Sequence, residues 1–167
     1  MPAPDFVAVG HVTLDRFGDA VRPGGSALYA AVVADRLGLS AGILTSHGDD
    51  FPLGQVPSRI EVVSVPAART TAFEHRRADA GRALRVTAAA APLTAADLPD
   101  DWKDAPVVLL APVLGEVDPL LAPAFPDASL GASVQGWLRG VDREGAVGPL
   151  RWTPPPFLLG RLQALFL

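Results

Sequence analysis

The sequence predicts an α/β protein, with an open, mainly parallel sheet, flanking helices and a short antiparallel hairpin. Three observations predict it. Uniformly apolar runs bounded by glycine or proline recur at residues 5–9 (DFVAV), 41–45 (AGILT) and 106–111 (PVVLLA), the pattern of strands buried on both faces. Between the first two, Gly24-Gly25 opens a helix rich in small residues that stops at Gly38. Residues 70–76 and 82–87 flank Ala78-Asp79-Ala80-Gly81 with mixed polarity, as a hairpin with one solvated face does.

In chain order, residues 5–9 are a central strand, and His11-Val12-Thr13-Leu14-Asp15 is expected to continue it. That delivers Asp15 to the carboxyl end of the sheet, where open α/β folds bind ligands. Residues 16–22 are too short and polar for a helix and suit a loop or an abbreviated strand pair. Ser26 is placed to cap the next helix, whose Ala27, Ala30, Ala31 and Ala34 let it lie close on a sheet. Arg36 suits the last turn and Gly38 the C′ position. The strand–helix–strand unit ending at residue 45 is right-handed by rule. Residues 60–65 (IEVVSV) form a third strand, and Thr94 opens a short helix that Pro99 interrupts. Asp118-Pro119 has the chemistry to start a short helix running to Phe125. Residues 129–134 are a weaker strand, residues 151–156 a proline-rich connector, and residues 160–167 an apolar tail.

Composition removes several classes of function. At 167 residues the chain suits one domain with a real core. Net charge is −4, which gives no electrostatic case for nucleic acid or an anionic membrane. Cysteine is absent, so thiolate metal sites, disulfides and cysteine nucleophiles are excluded. No signal peptide or long apolar run is visible, so the expected location is cytoplasmic. His11, His47 and His75 lack metal-ligand spacing. A nicotinamide oxidoreductase is disfavoured because no G-x-G-x-x-G follows the first strand.

The ordered set of residues resembles the ribokinase-like (PfkB) carbohydrate kinases. Gly24-Gly25, Gly38 and Gly48 match the spacing of that family's first signature, and Gly48-Asp49-Asp50 follows as its acid turn. Residues 9–15 (VGHVTLD) look like its first strand and substrate-contacting aspartate. Residues 70–73 (TTAF), 111–113 (APV) and 135–139 (QGWLR) fit one branch of it. The resemblance covers essentially the whole chain but only the N-terminal, substrate-side half of a typical member. It implies a single partial domain over residues 1–167 and ATP-dependent phosphoryl transfer to a hydroxyl of a sugar or nucleoside.

The candidate substrate-binding residues are Asp15, Gly24, Gly25, Ser26, Tyr29 and Glu116. A carboxylate accepts hydrogen bonds from adjacent hydroxyls, and two glycines allow a ligand close approach to backbone. Tyr29 stands where the family usually has an asparagine amide, and Glu116 follows the Ala-Pro-Val strand end. The family's Gly-Ala-Gly-Asp turn, with its catalytic base and anion hole, is not among these residues, nor is its Asn-x-x-Glu motif. No catalytic residue is therefore assigned. Phosphoryl transfer rests on positioning and on stabilising the migrating group, so this chain alone is expected to be inactive. ATP and magnesium, implied for the complete fold, are not expected to bind it well. The alternative is a non-catalytic remnant that binds a ligand or partner. The tail at residues 156–167 is expected to leave an apolar sheet edge that promotes self-association. Residues 135–139 receive no chemical role.

Overall fold

The computed structural model describes residues 2–78 and 81–167. The chain opens with β1 (Phe6–Val9), β2 (Thr13–Phe17) and β3 (Ala20–Gly24), then α1 (Ser26–Arg36). Next come β4 (Ala41–His47), β5 (Glu61–Pro66), β6 (Thr71–Ala78), β7 (Gly81–Ala88) and β8 (Val107–Leu110). The remainder is β9 (Ser129–Ser133), β10 (Arg139–Val141), β11 (Val147–Pro149), α2 (Pro156–Leu159) and β12 (Leu162–Phe166).

The main sheet has six strands in the order β12-β9-β8-β1-β4-β5, and every pairing is parallel. Alternation along the strands divides the core. Ala8, Ile43 and Ala111 face α1 with Ala27, Leu28 and Ala31, and Phe51 and Ile60 close that layer. Val7, Val9, Leu44, Val108 and Leu110 face the other way, against Trp102, Leu121, Phe125 and Leu158. The small residues of α1 let it lie tightly on β1 and β4, and Gly38, at φ 87°, ends it as expected.

A second sheet of four strands, order β3-β2-β6-β7, stands beyond the carboxyl end of β1. It joins two antiparallel hairpins through a parallel β2–β6 pairing. The turn expected around residues 79 and 80 lies outside the described residues, but β6 and β7 form the expected antiparallel pair. Residues 16–22 form the abbreviated strand pair rather than a plain loop.

Three expectations are corrected. Residues 11–15 do not extend the first strand. A side chain on Gly10 would meet the Ala111 carbonyl oxygen at 2.2 Å, so the backbone there is pinched. The N–H groups of His11 and Val12 are taken by the side chains of Glu116 and Thr45 (2.9 and 2.8 Å) instead of a neighbouring strand. The ladder ends, and the chain crosses into the second sheet. Ser26 does not cap α1 through its side chain; Gly25 occupies the N-cap. The single helix expected from Thr94 is two separate 3-10 turns, Ala95–Asp97 and Asp100–Asp104, because Pro99 parts them. Thr94 and Asp97 cap each other reciprocally at the first. The short helix expected after Asp118 does form, over Pro119–Ala124 with Asp118 as its N-cap; it is 3-10, since Pro123 cannot donate to an α-helical ladder.

Candidate functional site

The two sheets meet at a polar seam. His11, 1% exposed, spans it. Its Nε2 lies 2.8 Å from the Ala91 carbonyl oxygen, which only accepts, so Nε2 carries the proton. Its Nδ1 then accepts from the Thr71 hydroxyl at 2.7 Å, and Thr71 Oγ1 in turn accepts from Ala90 N–H. On the acid turn, Asp50 accepts from the Thr70 hydroxyl and N–H (2.6 and 2.9 Å). The hydroxyl contact, above all, holds its carboxyl below the usual aspartate range.

A hollow of about 260 Å³ opens between the second sheet and the start of α1. Asp15, Gly25, Ser26 and Tyr29 line it, joined by Thr13, Phe73, His75, Gln135 and Arg139. Strand register explains the convergence. Asp15 is paired with Phe73, and Phe17 with His75, across parallel β2 and β6, so these side chains leave one face of the sheet together. Gly24 stands behind Asp15: a side chain there would meet Asp15 Oδ2 at 2.1 Å and Thr13 Oγ1 at 2.8 Å. Gly25, at φ 103°, passes so close to the His11 carbonyl that a side chain would meet it at 2.3 Å. The glycine pair thus brings the α1 N-terminus against the aspartate.

Tyr29 is 59% exposed at the rim, its hydroxyl 3.4 Å from the Pro23 carbonyl. Glu116 does not line the hollow; it lies beneath. Only 8% exposed, it accepts from the N–H groups of His11 (2.9 Å), Val113 (3.0 Å) and Leu114 (2.7 Å). It therefore ties the loop after β8 to the loop after β1.

Sequence reasoning gave residues 135–139 no role, yet they supply much of the polar lining. Gln135 donates through Nε2 to Ser26 Oγ (2.7 Å) and accepts through Oε1 from Arg139 Nη2 (2.9 Å). Arg139 also donates to the Val113 carbonyl (2.9 Å) and sits 5.6 Å from the centre of the Phe73 ring. Burial pushes the guanidinium pKa down, while Asp15 and then Glu116 favour its charged form. The available signal was the four-residue spacing of two long polar side chains in an otherwise apolar stretch.

Comparison with solved structures places this architecture. The chain has the fold of the ribokinase family. A pyrophosphate-dependent kinase in that family, solved with sulfate, superposes with a TM-score of 0.81 at 23% identity, over 96% of this chain and 60% of that one. The same type of kinase complexed with a pyrophosphate analog and myo-inositol gives 0.77 at 23% identity, over 96% and 60%. Arabidopsis thaliana ribokinase, complexed with ribose and ATP, gives 0.61 at 16% identity, over 98% and 59%. The chain therefore spans about 60% of the length of these kinases. No protein-family profile matches the sequence, and no curated protein matches it.

Among the described residues no three His, Asp or Glu side chains converge as a candidate cation site, and the Ser26 hydroxyl at the start of α1 is engaged by Gln135. No helix among the described residues is long and apolar enough to cross a membrane.

Proposed function

We propose that this chain is the substrate-side part of a ribokinase-like phosphotransferase, binding a small sugar, cyclitol or nucleoside in the hollow at Asp15. The observation carrying this reading is the convergence of one carboxylate with Gln135, Arg139 and the α1 N-terminus in a single small cavity. A polyol donates hydroxyl protons to Asp15 and accepts from the amide and guanidinium groups. The volume, about 260 Å³, is below the usual 300–1,000 Å³ of ligand clefts and suits a compact molecule. Asp15, Gly25, Ser26 and Tyr29 are the proposed contacts, with Gly24 and Glu116 shaping the site from behind and below. The similarity to a kinase complexed with myo-inositol makes a cyclitol the first ligand to try.

The reading assigns the chain binding without turnover. It spans about 60% of the matched kinases, and its sequence contains no Gly-Ala-Gly-Asp turn. The donor, ATP or pyrophosphate, is left to residues beyond those present. Thermal shift with myo-inositol, ribose and adenosine tests the first part; one of them stabilises the wild type, and Asp15→Asn abolishes the shift. Saturation at a hundredfold excess over Kd adds about 2.7 kcal/mol. A folded wild type that responds to none of the three refutes the binding reading. Sustained consumption of ATP or pyrophosphate with a bound ligand refutes the absence of turnover.

The reading also includes self-association. An apolar trough of about 540 Å³ runs between α1 (Tyr29, Val33, Leu37) and the bare face of β8, β9 and β12, where Leu109 and Phe166 lie. A second copy of the chain is the proposed occupant, because β12 is an unpaired edge beside it.

A further inference from the structure

His75 lines the hollow in an unusual position. Among the described residues, its Nε2 is the buried side-chain nitrogen or oxygen left without a hydrogen-bond partner. The atom is shut off from solvent although the side chain as a whole is 24% exposed. It lies 3.6 Å from Asp15 Oδ1, beyond hydrogen-bond range. The ring is fixed: Phe17 stacks on it at 4.2 Å and 13°, and Leu84 is its cross-strand partner on β7 and also lines the hollow. A buried polar atom without a partner is rare in folded proteins, and each instance asks for an explanation.

We infer that His75 Nε2 and Asp15 Oδ1 jointly hold one hydroxyl group of the ligand. An oxygen about 2.8 Å from each atom would bridge their 3.6 Å separation, and its entry requires a local opening of the site because Nε2 is closed to water in the unliganded chain. In the tautomer with the proton on Nε2, the ring donates to that oxygen, and the hydroxyl donates its own proton to Asp15. The orphaned nitrogen finds its partner, and Asp15 gains a second donor beside the Thr13 hydroxyl, in one contact. A ring carbon bearing hydrogen, or a hydroxyl of the opposite configuration, leaves Nε2 orphaned. His75 is thus a specificity-determining residue that reads one stereocentre, while Leu84 and Phe17 keep the ring from turning away.

This inference rests on the proposed polyol reading of the hollow, and the test separates the two. Calorimetric titration of the full chain uses myo-inositol, ribose and adenosine, and then the single-deoxy analogues of whichever binds. The variants are His75→Leu and His75→Gln. The expected result is at least a tenfold loss of affinity in His75→Leu and partial recovery in His75→Gln, which keeps a donor. One deoxy analogue, lacking the shared hydroxyl, binds wild type and His75→Leu equally. The melting temperature of unliganded His75→Leu equals or exceeds that of wild type, because an orphaned polar atom is removed. Wild type and His75→Leu binding the polyol equally well overturns the role of His75 and leaves the polyol reading intact. The same holds if every deoxy analogue discriminates between them. A folded wild type that binds no polyol overturns both. If His75→Leu does not fold, His75→Gln binding with no change in the pattern of analogue affinities overturns the inference.

Discussion

Glu116 offers the sharpest test of how the site is braced. Its carboxylate is buried and accepts three backbone N–H groups from two loops, those after β1 and β8. A hydrogen bond to a charged group contributes about 1.5–3 kcal/mol. Simple addition gives roughly 4.5–9 kcal/mol, but desolvating the carboxylate offsets a large part of that. Glu116→Ala is therefore expected to cost about 3–5 kcal/mol, a large share of the roughly 5–15 kcal/mol that stabilises a domain. Glu116→Gln keeps one accepting oxygen but turns an NH₂ toward backbone donors, so it falls between wild type and alanine. Urea denaturation followed by circular dichroism measures both. The midpoint should fall while the slope stays fixed, since the surface exposed on unfolding is unchanged. A loss below about 1 kcal/mol for Glu116→Ala would mean that water satisfies those N–H groups without difficulty, and the bracing argument fails.

Other outcomes follow from the same geometry. Gly24→Ala places a methyl within 2.1 Å of Asp15 Oδ2; it should abolish ligand-induced thermal shift while leaving the circular dichroism spectrum native, and retained binding would refute the proposed role of Asp15. Asp50 has a folded-state pKa depressed by Thr70, so its stabilising contribution is complete above the ordinary aspartate value of 3.8 and disappears as pH falls below that value through the folded pKa. Asp50→Asn should therefore lower stability at neutral pH and flatten the acid limb of the stability profile; an unchanged acid limb counts against it. Val33→Asp changes a 56% exposed position in the apolar trough and should shift size-exclusion profiles toward monomer without altering the melting temperature. A wild type that is already monomeric at high concentration refutes self-association there.

The sheet strands were legible because burial on both faces leaves an apolar signature: 106–111 and 41–45 contain β8 and most of β4. The glycine hinge was legible because Gly25 and Gly38 adopt backbone angles open to few other residues. The break at residue 10 was not, because His11-Val12 is as suited to a strand as the residues before it. What ends the ladder is Glu116, more than a hundred residues away, taking an N–H that a neighbouring strand would otherwise bond. The same holds for Ser26. Its local sequence is that of a cap, yet its hydroxyl is engaged by Gln135, which only tertiary folding brings near. His75 sits in a polar strand with nothing local to mark it; its isolation arises from Phe17, Asp15 and Leu84 closing around it.

The direction in which the main sheet is wound has a consequence for its bare face. From β1 to β4 the chain steps one way across the sheet, with α1 above it, while from β8 to β9 to β12 it steps the other way. Right-handed crossovers then fall on the opposite side, where Phe125 and Leu158 are buried. A further parallel strand laid outside β12 would bring its connection to that already covered side as well. Growth at that border thickens one layer and leaves Val33 and Leu109 as bare as before. The trough closes only under a segment travelling back toward β1, or under another molecule.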